Sequence, residues 1–204
     1  MPKLFCIFLF VLFASSLRAE DTSVPFAKAV ELRGLVTFNG KKLTPDEIIE
    51  GDGILTTGRG SYVRLYIKKW QNQILIGPKS SMVLNLGKGV SIGAKVLYLL
   101  ENGLCRWISD HEARPSNKKV IHTKIAALGV RGTDFLLKAN PLLGETEMVV
   151  FEGEVQFTNK KNPDDTVAVK KGQWGGLGGR FGDSIGKLVD LPPNVLAVFK
   201  KGLR

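Results

Sequence analysis

The side chains that most often carry catalysis are scarce in this chain of 204 residues, which holds two histidines and two cysteines. Residues 110–112 place a histidine between two acids, but adjacent side chains of an extended segment point to opposite faces. The polar stretch 110–118 is typical of a surface loop. His122 lies in a predicted strand, and neither histidine has a second ligand at metal-binding spacing. The sequence therefore predicts no catalytic residue, no metal site, no cofactor and a protein that is not an enzyme.

A glycine-rich segment at residues 175–179 resembles a phosphate-binding loop only in composition. It lacks the Lys-Ser/Thr ending and the strand–loop–helix context that hold a phosphate. The Gly-x-Ser-x-Gly spacing occurs at residues 89–93 and 182–186, but neither match has the strand–turn–helix context of a nucleophile elbow. Neither nucleotide chemistry nor serine-dependent hydrolysis is predicted.

The first nineteen residues have the pattern of an export signal. Lys3 supplies a basic start, residues 4–13 form an unbroken apolar run, and small residues close the segment at Ala19. The run is shorter than the roughly 20 apolar residues that a membrane-spanning helix needs. We expect cleavage after Ala19, no transmembrane helix in the mature chain and a periplasmic or secreted location. A buried helix and an uncleaved anchor are the alternatives.

Export changes the charge and the cysteine chemistry. The net charge is +10, and removal of residues 1–19 takes away Lys3 and Arg18 and leaves +8. It also removes Cys6, so Cys105 is left without a disulfide partner, and its place beside Trp107 in an apolar stretch predicts a buried thiol. Basic charge outside the cytoplasm disfavours nucleic acid and favours an anionic envelope polymer, lipid headgroups or no partner at all. The expected partner is an envelope protein or an anionic polysaccharide. Six lysine doublets fit either protection of sheet edges or a diffuse basic surface.

Apolar residues in the rest of the chain repeat with a period of two. Val63, Leu65 and Ile67 share one face of a predicted strand, and similar short runs recur about every ten residues between turn signals. This spacing predicts a single all-β domain of short antiparallel strands, built as a sandwich, a barrel, a roll or a β-helix-like stack. Asn102-Gly103 predicts a two-residue hairpin turn. The predicted strands are 29–38, 61–67, 73–76, 82–86, 95–100, 104–108, 119–123, 133–138, 147–151, 154–158 and 166–170.

The tail at residues 177–204 is predicted to be a loop followed by a short turn or helix. Pro193 suits the first turn of a helix, where its missing N–H costs nothing. The tail contains apolar residues and a basic end. We expect it to pack on the sheet, and an apolar tail that recruits a partner is the alternative.

Residues 120–135 resemble the signature of the FecR domain, a periplasmic β-rich module named after the ferric-citrate uptake regulator. In that signature an extended V-x-T run and small residues precede G-V-R-G-T-x-F. The blocks at 51–65, 74–80, 152–155 and 171–173 resemble further elements of the module in the same order. The resemblance covers residues 30–175 and implies a FecR-like domain at 28–176. The signature positions are Thr123, Gly129, Val130, Arg131, Gly132, Thr133, Phe135, Gly153 and Gly172.

These signature positions are expected to be structural. Gly129 and Gly132 bracket Val130 and Arg131, which suits a sharp reversal with positive φ or a close backbone approach. Arg131 offers five N–H donors for turn carbonyls. A contact role for Arg131 in partner recognition is the alternative.

The resemblance implies a free-standing, exported FecR-like module that binds partners of the bacterial envelope, in a signalling role and without catalysis. Ten residues between the export signal and the module are too few for the sigma-controlling segment of the regulator it resembles, so direct control of a sigma factor is not expected. A carbohydrate-binding or anionic-polymer-binding protein is the alternative. Exposed faces of Trp70 or Trp174 would favour a glycan, whereas an exposed apolar strand or tail would favour a protein partner.

Overall fold

The computed structural model describes residues 26–68, 71–86, 98–109 and 119–202, and strands dominate these ranges. Within these ranges the α-helix α1 spans Pro193–Lys201, and a 3₁₀ turn lies at Gly179–Phe181. The strands are β1 (Phe26–Arg33), β2 (Val36–Phe38), β3 (Lys41–Lys42), β4 (Ile48–Thr57), β5 (Tyr62–Ile67), β6 (Asn72–Ile76), β7 (Ser81–Leu86), β8 (Tyr98–Ser109), β9 (Lys119–His122), β10 (Ala126–Asn140), β11 (Glu145–Asn159), β12 (Thr166–Lys170), β13 (Gln173–Leu177) and β14 (Val189–Asp190).

Six strands close into a ring in the order β8–β6–β5–β1–β4–β7, because β7 pairs with both β4 and β8. The predicted alternation holds in β5, where Val63, Leu65 and Ile67 are fully buried and the residues between them are partly exposed. Tyr98 and Trp107 pack edge to face inside, with ring centroids 5.1 Å apart. A period of two thus places one apolar face of each strand inside the ring.

The all-β prediction is confirmed, with two differences in detail. Strands β8, β10 and β11 have 12, 15 and 15 residues, longer than the predicted runs. Pairing is antiparallel except between β8 and β9, where Tyr98 pairs with Ile121 in a parallel register. Among the described helices, none has the length and apolar character needed to cross a membrane.

The hairpin of β10 and β11 bends sharply at two glycines, which we call the corner. Its register shifts between Arg131 and Asp134, where Gly132 has φ +57° and Gly153 has φ +77°. A 15-residue strand would span roughly 45 Å if straight. Thr123, however, bonds the amide at the open end of the hairpin and also reaches Thr146 near the closed end, with 2.7 Å between the two hydroxyl oxygens. The hairpin is therefore folded over, with its two halves on opposite sides of one core.

The sharp reversal predicted at residues 129–132 is a bend inside one strand: Gly132 has the expected positive φ and close approach, and Gly129 has neither. The break between the predicted strands 147–151 and 154–158 is absent, because β11 runs through residues 152 and 153. Both segments continue as strand, because the glycines form paired bulges that bend the ladder without ending it. Gly153 approaches the partner strand so closely that a Cβ on it would lie 2.5 Å from the carbonyl oxygen of Gly132.

The predicted hairpin turn at Asn102-Gly103 is also wrong. Strand β8 runs through this pair, and Gly103 has φ +97° where the strand exchanges β7 for β6 as its partner. A Cβ on Gly103 would lie 2.7 Å from Cα of Ser80, whose hydroxyl accepts the Leu104 amide at 3.0 Å. Glycine is needed here because two backbone segments approach closely. In the sequence, such a glycine cannot be distinguished from one that forms a turn.

The tail contains more regular structure than predicted. The tail begins at the last residue of β13, and the part expected to be a loop contains β14, which pairs with β13. The C-terminal helix is confirmed, with Pro193 as its first residue. The chain between β13 and β14 packs closely, since a Cβ on Gly175 would lie 2.6 Å from Cδ2 of Leu188.

Candidate functional site

A second apolar cluster lies on the outside of the sheet, where β6, β10 and β11 turn a face away from the ring. We call it the outer cluster. Its four buried members are at most 8% exposed, and half-buried side chains of β13 and the tail pack against it. The tail therefore covers apolar surface that the sheet would otherwise leave in water. The buried members are Leu75, Leu136, Val149 and Phe151.

A buried ion pair fixes α1 beside this cluster. Arg106 Nε and Nη2 each donate to one carboxylate oxygen of Asp134 at 2.8 Å, and the two side chains are 7% and 11% exposed. Arg106 Nη1 also donates to the carbonyl oxygen of Lys200 at 2.9 Å. A guanidinium at the carbonyl end of a helix is favourable because that end carries partial negative charge. Arg106 thus ties β8, β10 and the last turn of α1 together.

The helix and the sheet enclose a groove of about 340 Å³, which we call the C-terminal groove. Its walls are mostly apolar, and the side chains on the helix side are exposed: Val198 is 70% and Phe199 is 40% in contact with solvent. An apolar groove of this size accepts one or two large apolar side chains of a ligand. Its lining residues are Leu104, Leu136, Lys138, Glu147, Met148, Val149, Trp174, Val198, Phe199 and Gly202.

One end of the groove is polar and centred on Glu147. This carboxylate accepts from Lys138 Nζ at 2.6 Å, from Trp174 Nε1 at 3.3 Å and from Arg180 Nη2. The guanidinium of Arg180 lies 5.4 Å from the ring centroid of Trp174 and 5.0 Å from that of Phe181. The groove therefore combines an apolar floor with a charged end, an arrangement that orients a bound segment.

Most of the signature residues lie in the folded hairpin, and none of them is among the residues that line the groove. Thr123, Val130, Thr133 and Phe135 are buried, and the Arg131 backbone pairs with Glu154. Their expected structural role remains a prediction.

The three signature glycines outside Gly132 have different environments. Gly153 forms the corner, and Gly172, with φ +86°, connects β12 to β13 and accepts the Leu191 amide at 2.8 Å. Gly129 has no positive φ, and a Cβ on it would meet Gln156 Cβ at an ordinary 3.5 Å.

Sequence reasoning missed Arg106, which holds the helix that forms one wall of the groove. Arg106 stands between Leu104 and Ile108 on the face of β8 opposite Cys105 and Trp107, so a charged residue shared an apolar face. A charged residue on a predicted apolar face is the signal that could have identified Arg106, because a buried arginine needs a polar or charged partner.

The other residues with chemical potential do not form a site. Cys105 is fully buried, as predicted, and burial raises its pKa to about 12, so the thiolate is absent near neutral pH. His122 is half-buried, and burial together with nearby Lys160 lowers its pKa, which leaves it neutral at pH 7. Residues 110–112 and Trp70 lie outside the described residues. Within the described ranges no three potential metal ligands cluster.

We expect the tail to contribute to stability as well as to the groove. Deletion of residues 190–204 removes Leu191 and Leu196 from the outer cluster and should lower the free energy of unfolding by about 2–3 kcal/mol. Chemical denaturation of both chains measures the difference. Ala197→Ser on the exposed side of α1 is the matched control and should change little, whereas a truncated chain as stable as the parent would show that the tail does not pack.

Comparisons with known proteins identify a fold relationship. No family model and no curated protein sequence matches the chain. Two solved structures, both described as a "putative anti-sigma factor" from Parabacteroides distasonis ATCC 8503, are similar in fold. One has a TM-score of 0.57 at 12% sequence identity and covers 74% of this chain. The other has a TM-score of 0.56 at 13% identity and covers 73%. In both, the match spans 65% of the other chain, just under two thirds of its length, and at this identity the likeness establishes the fold alone.

Proposed function

We propose that this protein is an exported FecR-like module of the bacterial periplasm or envelope, which acts in signalling by binding another protein and catalyses no reaction. The observation that carries the proposal is the C-terminal groove, where Val198 and Phe199 stay exposed beside an apolar floor. Exposed apolar side chains around a concave apolar surface mark a protein contact. We infer the occupant to be an extended or helical apolar segment of an envelope protein.

Sequence and fold support this reading independently. Residues 120–135 resemble the FecR signature, and two structures described as anti-sigma factors share the fold. We assign residues 1–19 to the export signal, 28–176 to the FecR-like domain and 177–204 to the tail. The groove is built from both of the last two segments.

The environments of the two described tryptophans, Trp107 and Trp174, favour a protein partner over a glycan. Stacking on a sugar requires an open aromatic face, but Trp107 is fully buried. Trp174 is half-buried, with Phe181 edge to face at 5.3 Å between ring centroids and the Arg180 guanidinium 5.4 Å from its ring centroid. The tail, by contrast, exposes Val198 and Phe199 beside the groove, which is the feature expected for a protein partner.

Export can be checked by the intact mass of the protein recovered from its producing cell. We expect a chain that begins at Glu20, because the basic start, apolar run and small-residue end form a cleavable signal. Protein from the periplasmic or secreted fraction should have the mass of this processed chain, and the cytoplasmic fraction should contain only the precursor. A mature chain that still begins at Met1 would contradict the proposed export signal.

Binding can be checked by capture from the cell envelope with wild-type protein and two single variants. Val198→Asp places a charge at the rim of the groove and should reduce the recovered partner at least about tenfold, since burial of an uncompensated charge costs well over 1.4 kcal/mol. Val30→Asp, on β1, is the matched control because Val30 is also exposed, at 38%. Equal capture by all three proteins would contradict the groove as the binding site.

A further inference from the structure

The closed end of the β10–β11 hairpin carries two leucines in contact with solvent. Leu142 is 95% exposed and Leu143 is 60% exposed, and Leu142 is the most exposed large apolar side chain in the described part of the chain. Single exposed leucines are ordinary, but two adjacent leucines at the tip of a hairpin form a local apolar surface. We call residues 140–144 the leucine tip.

The leucine tip is a turn stabilised by hydrogen bonds. Asn140 Oδ1 accepts the backbone amides of Leu142 at 3.2 Å and Leu143 at 3.3 Å. Gly144 closes the turn with φ +58°, and its amide lies 3.4 Å from the Pro141 carbonyl oxygen. A side-chain acceptor that holds both leucine amides fixes the turn conformation. The two side chains are therefore presented to solvent by the fold.

The tail adds a basic residue beside the tip. The carbonyl oxygen of Leu143 lies 3.2 Å from the place where a Cβ on Gly179 would stand. The next residue, Arg180, has a side chain 55% exposed. Glu145, the nearest carboxylate along the hairpin, is only 5% exposed and faces this arginine. Arg180 pairs with this carboxylate and with that of Glu147, and its guanidinium is the most exposed of the three groups.

The turn between β9 and β10 adds two lysines to the same end of the molecule. Ile125 contacts Gly178, which also lies against the Gly144 carbonyl oxygen of the tip. Lys124 precedes Ile125 and is exposed, and the exposed Lys160 donates its amide to the Ile125 carbonyl oxygen at 2.9 Å. The folded-over hairpin thus brings three basic side chains to the border of an apolar tip.

We propose that the leucine tip inserts into the headgroup region of an anionic lipid bilayer and docks the protein on a membrane surface. A convex tip fits lipid because acyl chains and headgroups rearrange around it, whereas a protein partner would need a matching pocket. Apolar side chains surrounded by lysine and arginine are the pattern that binds anionic lipid surfaces. Neither leucine of the tip lines the C-terminal groove, although Arg180 also pairs with Glu147 at the polar end of that groove.

Cosedimentation with vesicles tests the proposal. Wild-type protein should sediment with vesicles of phosphatidylglycerol and phosphatidylcholine at low ionic strength, and less with vesicles of phosphatidylcholine alone. Leu142→Asp/Leu143→Asp should lower the partition coefficient at least about tenfold while the melting temperature stays unchanged, because both side chains are exposed. Leu142→Ser/Leu143→Ser repeats the test without added charge. Lys124→Gln/Lys160→Gln should remove most of the preference for the anionic vesicles.

The control is Leu35→Asp, which changes another leucine with 56% exposure in the turn between β1 and β2. It should sediment with vesicles like the wild type, and so should Val198→Asp, which affects only the groove. The proposal is overturned if folded wild-type protein stays in the supernatant, or if the tip variants bind vesicles normally. An equal loss of vesicle binding in Leu35→Asp would also overturn the proposal. Tip variants that still bind vesicles but no longer capture a protein partner would show that the tip binds protein instead of lipid.

Discussion

Replacement of Asp134 by alanine should destabilise the protein by about 3–5 kcal/mol, the cost of leaving one partner of a buried ion pair without the other. The carboxylate receives two hydrogen bonds from Arg106, and both side chains are nearly inaccessible to water. The melting temperature should fall by roughly 10 °C for a domain of this size. Thermal and denaturant unfolding of Asp134→Ala measure the effect.

Two further variants separate the buried charge from a general loss of packing. Arg106→Met/Asp134→Leu removes both charges and should recover most of the lost stability, because two apolar side chains can fill the same space. Lys28→Met removes an exposed ion pair, whose side chains are 41% and 73% exposed, and should cost less than about 1 kcal/mol. If the double variant is as unstable as Asp134→Ala, the loss is not due to an unpaired arginine.

Gly153→Ala should be nearly as damaging, at about 3–4 kcal/mol. An alanine at φ +77° is strained by 1–3 kcal/mol, and here its Cβ would also stand 2.5 Å from the Gly132 carbonyl oxygen. The folded hairpin would have to open at its corner to relieve this contact. Denaturant unfolding measures the loss.

Two other glycines provide graded controls for the corner. Gly172→Ala has the same kind of backbone strain at φ +86° but open space around its Cβ, so about 1–2 kcal/mol is expected. Gly129→Ala has neither strain nor a close contact and should change stability little. Similar losses at all three positions would show that the close approach at Gly153 does not determine the effect.

The strand content could be predicted because alternation is a local property. The face of β5 with Val63, Leu65 and Ile67 was readable from one residue to the next, and it is buried in the ring. The C-terminal helix was also readable, since Pro193 marks where it begins. Cys105 was identified as a core thiol from its apolar neighbours.

Strand continuity and pairing could not be predicted from the same signals. Asn102-Gly103 and Gly153 have the composition of turns, yet both lie inside long strands, because positive φ and close approach also occur at bulges. Closure of the ring depends on β7 pairing with both β4 and β8, which are far apart in sequence. A local sequence pattern does not specify which strand edges pair with each other.

The groove could not be predicted from the sequence for a related reason. The tail was expected to pack on the sheet, but nothing in its sequence specified Arg106 as the residue that holds it. The contact joins residues 94 positions apart, from Arg106 to the Lys200 carbonyl oxygen. Only the register of β8 and β10 brings Asp134 next to the same guanidinium.

The most direct test of the proposed groove is photo-crosslinking in the producing cell, with a photoreactive amino acid in place of Val198. A partner segment bound beside α1 must lie within reach of this position, so we predict one discrete protein adduct. The same amino acid at Ile48, which is 55% exposed on β4 of the ring, is the control and should give none. Absence of an adduct at 198, or the same adducts from both positions, would contradict the account.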